Sequence, residues 1–216
     1  MQTIHGILFE PVGCLAEFSP EIFNEMAALV SGRTSKASRS ASRTYWYVIN
    51  LLETTGMRLS ESDTARIEAL ELQAVETASL YEDVAPALSE LQNMGINLVM
   101  ASSLSKAAVT RFIEKSALAR LFTFVSSRDR AEQVKTVPLR TALTMAGLEA
   151  EHAMFLTDTS DGLLVANNLR LNSILMMNDP DEAMRLADHG PSGGIVSLHE
   201  LPDFIRLVAA ENARRV

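Results

Sequence analysis

The 216-residue chain contains a single cysteine, Cys14, so it cannot form an internal disulfide. One unpaired thiol is typical of a protein in a reducing compartment. No apolar run approaches the roughly 20 residues that a membrane-spanning helix needs. The first residues also lack the basic start and long apolar stretch of a signal peptide. We therefore expect a cytoplasmic protein with no membrane partner.

Basic residues are outnumbered, with 19 Lys and Arg against 27 Asp and Glu and a formal net charge of -8. Such a surface repels a phosphate backbone, so we expect no nucleic-acid partner. The exception is a stretch without acidic residues that contains Arg33, Lys36, Arg39 and Arg43, whose spacing would place them on one helix face. This basic segment is either a solvated face or Ser-rich loop, or an anion-binding surface in which Lys36 contacts a ligand.

The rest of the composition, 47% hydrophobic and 21% charged, is that of an ordinary globular protein. Short apolar runs bounded by turn residues predict buried strands. They are Ile4–Phe9, Ile96–Ala101, Thr123–Val125, Ala153–Leu156, Ser173–Met176 and, more weakly, Ile195–Leu198. After the second run, helical patterns separate the strands. This alternation predicts parallel βαβ units and an α/β fold class.

About 85 residues separate the first two predicted strands, although a crossover needs only about a dozen. This stretch has helical patterns of its own. One begins at Ser19-Pro20, a second covers Tyr45–Leu52, a third begins at Ser60 or Ser62, and a fourth covers Val84–Met94. We therefore predict an inserted helical domain at residues 16–80 and a core domain formed by 1–15 and 81–216.

Several segments occur in an order that is typical of one family. The strand Ile7-Leu8-Phe9 runs into a turn containing Gly13, and Leu88–Ser103 joins a helix to a strand. The segments Lys135–Pro138 and Met154–Gly162 follow. In this order and spacing the chain resembles the haloacid dehalogenase superfamily, in the branch with a helical cap after the first strand. The resemblance implies a Rossmann-like parallel sheet with an inserted α-helical cap, and phosphatase-like or dehalogenase-like hydrolase chemistry.

In that family a first-motif Asp attacks a phosphoryl group or a halogenated carbon and forms a covalent intermediate. A second Asp, two residues later, acts as general acid and then as base. A Ser or Thr and a Lys hold the phosphoryl oxygens, and fourth-motif acids help to hold Mg²⁺. The resemblance therefore implies Mg²⁺ as a cofactor and a small anionic, phosphorylated metabolite as the partner.

Most of these positions have a match in this chain. The matching residues are Ser102 with the neighbouring Ser103 for the second motif, Lys135 for the third, Asp158 and Asp161 for the metal-binding acids, and Gly13 for the turn at the phosphate. Three of these residues also have a simpler interpretation. Ser102 and Asp158 could cap helices, and Lys135 could be a solvated surface charge.

The first motif departs from the family because Glu10 takes the place of the nucleophile and Val12 that of the acid/base. Glu10 could still bind Mg²⁺, and Val12 could contribute its backbone carbonyl. The extra methylene of Glu10 misplaces the carboxylate, which can lower a rate by about 10²-fold. The missing acid/base lowers it by a further factor of about 10²–10⁴. We therefore expect a weak Mg²⁺ site and phosphatase chemistry reduced by about 10⁴–10⁶-fold.

Two classes of function remain open. In the first, the chain is a hydrolase with Glu10, Ser102 and Lys135 as its catalytic residues. In the second, it is a non-catalytic member of the fold that senses a ligand or docks a protein. Cys14 could replace the nucleophile or be a small buried hydrophobe. A receiver-type signalling domain fits less well because of the helical insertion.

Overall fold

The computed structural model describes residues 3–31, 59–128 and 135–213. The predicted helix Tyr45–Leu52 and the basic segment with Lys36 lie outside these residues. Within them, no helix is long and apolar enough to cross a membrane.

The core is a six-stranded parallel sheet with the order β5-β4-β1-β6-β7-β8. The strands, in chain order, are β1 Gly6–Phe9, β2 Ala16–Glu17, β3 Ser79–Leu80, β4 Asn97–Ser105, β5 Phe124–Arg128, β6 Ala153–Thr157, β7 Asn172–Met176 and β8 Gly193–Ile195. The long sheet strands are apolar on both faces because helices cover both sides. Since β1 lies between β4 and β6, the segments that follow these three strands meet at the carboxyl edge of the sheet.

The helices of the described ranges are α1 Pro20–Ser31, α2 Glu61–Thr77, α3 Val84–Asn93, α4 Lys106–Ser116, α5 Thr136–Ala146, α6 Ser160–Asn168, α7 Pro180–Ala187 and α8 Leu201–Ala213. Serine caps mark the starts of two helices, and the one at Ser60 confirms a predicted start. The Ser60 side chain accepts a hydrogen bond from Asp63 N–H, and the Ser105 side chain accepts one from Ala108 N–H. Single 3₁₀ turns cover Ala150–His152 and Leu198–Glu200.

Three of the predicted strands end three or more residues from the predicted position, and one of them is β5, which continues to Arg128 instead of ending at Val125. Strand β4 continues to Ser105, four residues beyond the predicted end at Ala101, because its last part pairs with Arg128 of β5 after a bulge. Ser102 and Ser103 therefore lie inside the strand. The last strand ends at Ile195, because Ser197 begins a 3₁₀ turn.

The helical insertion begins and ends at a two-stranded antiparallel ribbon, in which Ala16 of β2 pairs with Leu80 of β3. Helix α1 follows β2, and α2 leads into β3. Helix α2 packs between α1 and the core helix α4. The domain limits at residues 16 and 80 remain a sequence-based prediction.

A buried ion pair joins α2 to the sheet. Glu71 is fully buried, and its Oε1 accepts a hydrogen bond from the Arg128 guanidinium at 2.7 Å. Its Oε2 accepts one from Ser105 N–H at 2.9 Å. A buried pair of this kind contributes little over apolar packing, but removing one partner leaves an uncompensated charge. Glu71 and Arg128 therefore fix the position of α2 on the ends of β4 and β5.

The carboxyl end of α2 has a second connection to α4. The Lys115 ammonium donates to the backbone carbonyls of Val75 at 2.9 Å and Ala78 at 3.2 Å, and also to that of Glu76. These carbonyls lie at the negative end of the helix dipole, where a cation is favourable. The Glu76 side chain also pairs with Arg111 at 2.5 Å, but both side chains are about half exposed.

We expect Glu71→Gln to lower the free energy of unfolding by about 3–5 kcal/mol, because it removes the charge that pairs with the buried Arg128 guanidinium. Urea unfolding of the purified chain measures this change. The control is Glu76→Gln on the same helix, which removes an exposed ion pair and should leave stability nearly unchanged. Equal effects of the two substitutions would contradict a special role for the buried pair.

Candidate active site

The first-motif carboxylate is turned toward β4. Glu10 follows the end of β1 and is only 2% exposed. Its Oε1 and Oε2 lie 3.3 and 3.2 Å from the backbone nitrogen of Ser103, and the Ser103 hydroxyl donates to Oε2 at 2.7 Å. The neighbouring Ser102 points elsewhere, with its hydroxyl oxygen accepting a hydrogen bond from Leu104 N–H at 3.1 Å. The side chain of the second motif that contacts Glu10 is therefore that of Ser103.

Lys135 completes this arrangement from the amino end of α5. Its Nζ lies 3.4 Å from Glu10 Oε2 and 3.4 Å from the Ser103 hydroxyl oxygen, and the residue is 3% exposed. The alternative of a solvated surface lysine is therefore wrong. Each of the two buried charges compensates the other, which is the condition under which charges are tolerated in a protein interior.

We call the Ser103 N–H, the Ser103 hydroxyl and the Lys135 ammonium the anion cradle. All three donors point at one carboxylate, that of Glu10. The family resemblance assigns a hydroxyl and a lysine of these motifs to the oxygens of a bound phosphoryl group. In this structure the three donors contact an internal carboxylate, since the side chain of Glu10 spans from the end of β1 to β4.

A second group of contacts lies on the other side of the turn after β1. Gly13 has a φ of +77°, and a Cβ placed on it would lie 2.1 Å from Asp158 Oδ2. The Asn178 amide donates to the Gly13 carbonyl at 2.8 Å and to Asp158 Oδ2 at 3.4 Å. The Asp158 carboxylate therefore rests directly on the Gly13 backbone, where a side chain would exclude it.

Cys14 is buried close to these carboxylates. Burial raises the pKa of the Cys14 thiol well above its usual value of 9.0, and the negative charges of Asp158 and Glu10 raise it further. The charge of Lys135 and a hydrogen bond with the Asp158 backbone act in the opposite direction and are weaker. The thiol is therefore neutral at pH 7, and a neutral thiol is a poor nucleophile. Cys14 fits the role of a small buried hydrophobe.

The predicted Mg²⁺ ligands are Glu10, the Val12 carbonyl, Asp158 and Asp161. Both carboxylate oxygens of Glu10 face hydrogen-bond donors, one of which is the Lys135 ammonium. A divalent cation bound there would meet a like charge at close range. Asp161 lies in the first turn of α6. As arranged, these side chains fit Mg²⁺ poorly, and the ligand set remains a prediction.

A different group of possible metal-binding side chains comes close together in the structure. Among the described residues, carboxylate or imidazole atoms of three residues come within 4.8 Å of one another at Glu149, Glu151 and His152. This group lies at the turn before β6, at the amino edge of the sheet. It is therefore at the opposite edge from Glu10 and Asp158.

A cavity of about 370 Å³ opens next to Gly13 and Asp158. Its described lining contains neither Glu10, Ser103 nor Lys135, so the anion cradle is separate from this space. The lining residues come from the turn after β1, from the start of the insertion and from the ends of β6, β7 and β8. They are Val12, Gly13, Glu17, Phe18, Pro20, Phe23, Tyr81, Asp83, Asp158, Met176, Asn178, Asp179, Glu182 and Val196.

The sequence analysis did not identify Asn178 as a site residue, and it included Ser103 only as the neighbour of Ser102. Asn178 directly follows β7 and precedes the helix start Asp179-Pro180, so its place at the carboxyl edge of the sheet was a usable signal. The part played by Ser103 depends on the extension of β4 beyond Ala101, which no local pattern indicated.

The contact between Gly13 and Asp158 predicts a large effect of Gly13→Ala. The substitution forces a left-handed φ on a side chain and places Cβ against the Asp158 carboxylate, so we expect a loss of about 3 kcal/mol or more in urea unfolding. Gly95→Ala is the matched control, because Gly95 has a φ of +80° but open space around it. It should lose only about 1–2 kcal/mol. Equal losses would contradict the close contact.

The raised pKa of Cys14 predicts a specific pH dependence. The folded state keeps the thiol proton at a pH where the unfolded chain has lost it. The contribution to stability is therefore complete below pH 9 and is lost as the pH rises above 9.0 toward the raised value. The slope reaches at most about 1.4 kcal/mol per pH unit. Thermal unfolding between pH 8 and 10 should show a shallower decline for Cys14→Ala. Parallel curves would contradict the raised pKa.

The chain is similar to known proteins in sequence and in fold. A family model described as haloacid dehalogenase-like hydrolase matches residues 31–176, about two thirds of the chain. The match begins after the first strand, so the altered segment Glu10–Cys14 lies outside it. No curated protein matches the chain.

Solved structures of the same fold cover nearly the whole chain. A predicted phosphatase from Clostridium acetobutylicum is 21% identical with a TM-score of 0.73, covering 94% of this chain and 99% of that one. A haloacid dehalogenase-like family hydrolase from Streptococcus pneumoniae is 16% identical with a TM-score of 0.72 and the same coverage. L-2-haloacid dehalogenase from Xanthobacter autotrophicus is 16% identical with a TM-score of 0.63, covering 94% and 98%.

The six-stranded parallel sheet and the helical insertion after its first strand agree with these relatives. The fold that the sequence predicted is therefore confirmed. On the match over residues 31–176, the chain belongs to the haloacid dehalogenase-like hydrolase family.

Proposed function

We propose that this chain binds a small phosphorylated metabolite and has strongly reduced or no phosphatase activity. The observation that carries the proposal is the anion cradle, whose three donors converge on the Glu10 carboxylate. The buried Lys135 and Ser103 belong to the segments that, by the family resemblance, supply the lysine and the hydroxyl for phosphoryl oxygens. Their hydrogen bonds suit an oxyanion of either kind, carboxylate or phosphate.

Chemistry at this site would be slow for reasons that lie in the chain's own residues. To attack a substrate, Glu10 must leave three hydrogen-bond donors that stabilise its charge. Val12 has no proton to give to a leaving group, and removing general acid catalysis lowers rates by about 10²–10⁴-fold. Cys14 stays protonated and does not substitute for the nucleophile.

The metal would be held weakly. In this family Mg²⁺, when bound, neutralises charge on the transferred phosphoryl group. Of the predicted ligands, Val12 and Asp158 line the open cavity, and Asp158 lies next to Gly13 and Asn178. Glu10 would have to exchange Lys135 for the cation. We therefore propose that Mg²⁺ binding requires Glu10 to leave the cradle.

A non-catalytic role in ligand sensing or protein docking is the second candidate. One observation favours it: each of the three cradle donors already contacts the Glu10 carboxylate, so the buried charges compensate each other without a substrate. A catalytic site usually leaves such donors pointing at the place where charge develops in the transition state.

The test is Mg²⁺-dependent phosphate release from a panel of small phosphate esters by wild type and by the double variant Glu10→Asp, Val12→Asp. The shorter aspartate side chain at position 10 should retract from Ser103 and free the cradle, and the aspartate at position 12 restores an acid/base. We expect at least about 10⁴-fold higher kcat/KM for the double variant than for wild type.

The control adds Lys135→Ala to the double variant, which should abolish the gained activity by removing the cradle ammonium. Binding of phosphate esters by wild type, followed by calorimetry, tests the binding half of the proposal. Wild-type turnover within tenfold of that of the double variant would contradict the proposed loss of phosphatase activity. Absence of binding in both proteins would overturn the proposed ligand.

A further inference from the structure

The Glu10 carboxylate is held at the end of β4 by donors of the protein itself. The Ser103 nitrogen lies 3.3 Å from Oε1 and 3.2 Å from Oε2, and the Ser103 hydroxyl donates to Oε2 at 2.7 Å. The Lys135 ammonium lies 3.4 Å from the same Oε2, and both charged side chains are almost completely buried. Mg²⁺ binds through oxygen atoms in a nearly octahedral arrangement. Both oxygens that Glu10 could offer to a metal are therefore already engaged.

The length of the glutamate side chain accounts for this position. In the register of β1 and β4, Phe9 pairs with Met100. Glu10 directly follows Phe9, yet its carboxylate contacts Ser103, three residues beyond Met100. The contact therefore runs diagonally across the ends of the two strands, which a long side chain favours. An aspartate, shorter by one methylene, would reach less far along β4.

The predicted metal ligands do not converge on one point. Val12 and Asp158 line the cavity, whereas Glu10 is not part of its described lining. Among the described residues, the three acidic or imidazole side chains whose ligand atoms lie within 4.8 Å of one another do not include Glu10, Asp158 or Asp161. A metal ion needs several ligand atoms around a single position. The diagonal reach of Glu10 thus separates its carboxylate from the other predicted ligands.

The positive charge that a metal would bring is supplied by Lys135. The ammonium and the Glu10 carboxylate compensate each other inside the protein, where water screens charges weakly. A divalent cation bound to Glu10 in this position would stand close to a like charge. The ammonium and Mg²⁺ therefore compete for the same carboxylate.

We propose that the pair of Glu10 and Lys135 takes the place of Mg²⁺ in this chain. The ligand-free protein excludes the metal, and an anion that replaces Glu10 in the anion cradle binds without any divalent cation. The exclusion of Mg²⁺ rests on the described pair alone, whereas the binding of an anion rests on the proposed function. The cradle offers that anion an N–H, a hydroxyl and an ammonium, and none of these donors needs a metal.

Thermal unfolding with and without MgCl₂ tests the exclusion of the metal. A ligand that binds only the folded state raises the unfolding temperature, and NaCl at equal ionic strength corrects for general salt effects. We expect about 10 mM MgCl₂ to shift the unfolding temperature of wild type by less than about 1 °C. For Glu10→Asp, which keeps the charge but shortens the reach, we expect a rise of at least about 3 °C.

The matched control is Glu71→Asp, which shortens the other buried glutamate at the end of β4. It should not respond to MgCl₂, because none of the predicted metal ligands is changed. A rise for wild type as large as that for Glu10→Asp would overturn the proposal. So would a Glu10→Asp variant that responds no more than Glu71→Asp.

The variant Lys135→Met tests the competition directly, because it leaves the Glu10 carboxylate without its counter-charge. We expect MgCl₂ to raise its unfolding temperature by at least about 3 °C, or to be required for folding. Lys106→Met is the control, since Lys106 is exposed and its loss changes the net charge equally. A folded Lys135→Met that responds no more than Lys106→Met would overturn the competition. If Lys135→Met folds under neither condition, Glu10→Asp decides.

Calorimetry with glycerol 3-phosphate in the presence of EDTA tests the metal-free binding of an anion. We expect wild type to bind the ester in EDTA and Lys135→Met to bind it at least about tenfold more weakly. Binding by wild type that requires added MgCl₂ would overturn the proposal. Absence of binding with EDTA and with MgCl₂ would instead count against the phosphorylated ligand of the proposed function, and the unfolding measurements would still decide whether Mg²⁺ is excluded.

Discussion

The carboxyl end of β4 is held by two buried glutamates, each compensated by a buried cation. Glu10 accepts from Ser103 and pairs with Lys135, while Glu71 accepts from Ser105 and pairs with Arg128. The first pair belongs to the core and the second joins the helical insertion to it. Because an uncompensated charge is so unfavourable in a protein interior, each member constrains the position of the other. The candidate site and the placement of α2 therefore depend on the same short piece of strand.

Most of the fold was predictable because it rests on local patterns. Apolar runs and serine caps such as Ser60 and Ser105 are read within a few residues of the chain. The ends of strands β4 and β5 were not predictable in this way, because their extension depends on the pairing of Ser105 with Arg128, more than 20 residues away along the chain. A bulge of this kind leaves no local signal.

The site was predictable only in part, for the same reason. The positions of Glu10, Lys135 and Asp158 follow from the order of the motifs, but the contacts between them do not. That Glu10 bonds with Ser103 across 93 residues, and that Glu71 meets Arg128 across 57, depends on tertiary packing. The cavity is likewise assembled from separate segments, namely the turn after β1, the start of the insertion and the ends of β6, β7 and β8.

The Glu10 carboxylate affects which ligands can bind in the anion cradle. It acts as a tethered competitor, present at an effective concentration that a free anion in solution does not reach. A simple anion such as inorganic phosphate, with no other contacts, is therefore at a disadvantage in the anion cradle. A molecule that also contacts the protein at a second point has a higher effective concentration at the cradle, so its anion can compete with the Glu10 carboxylate. If the anion cradle is the ligand site, as we propose, the glutamate at position 10 makes that site selective for ligands with two points of attachment.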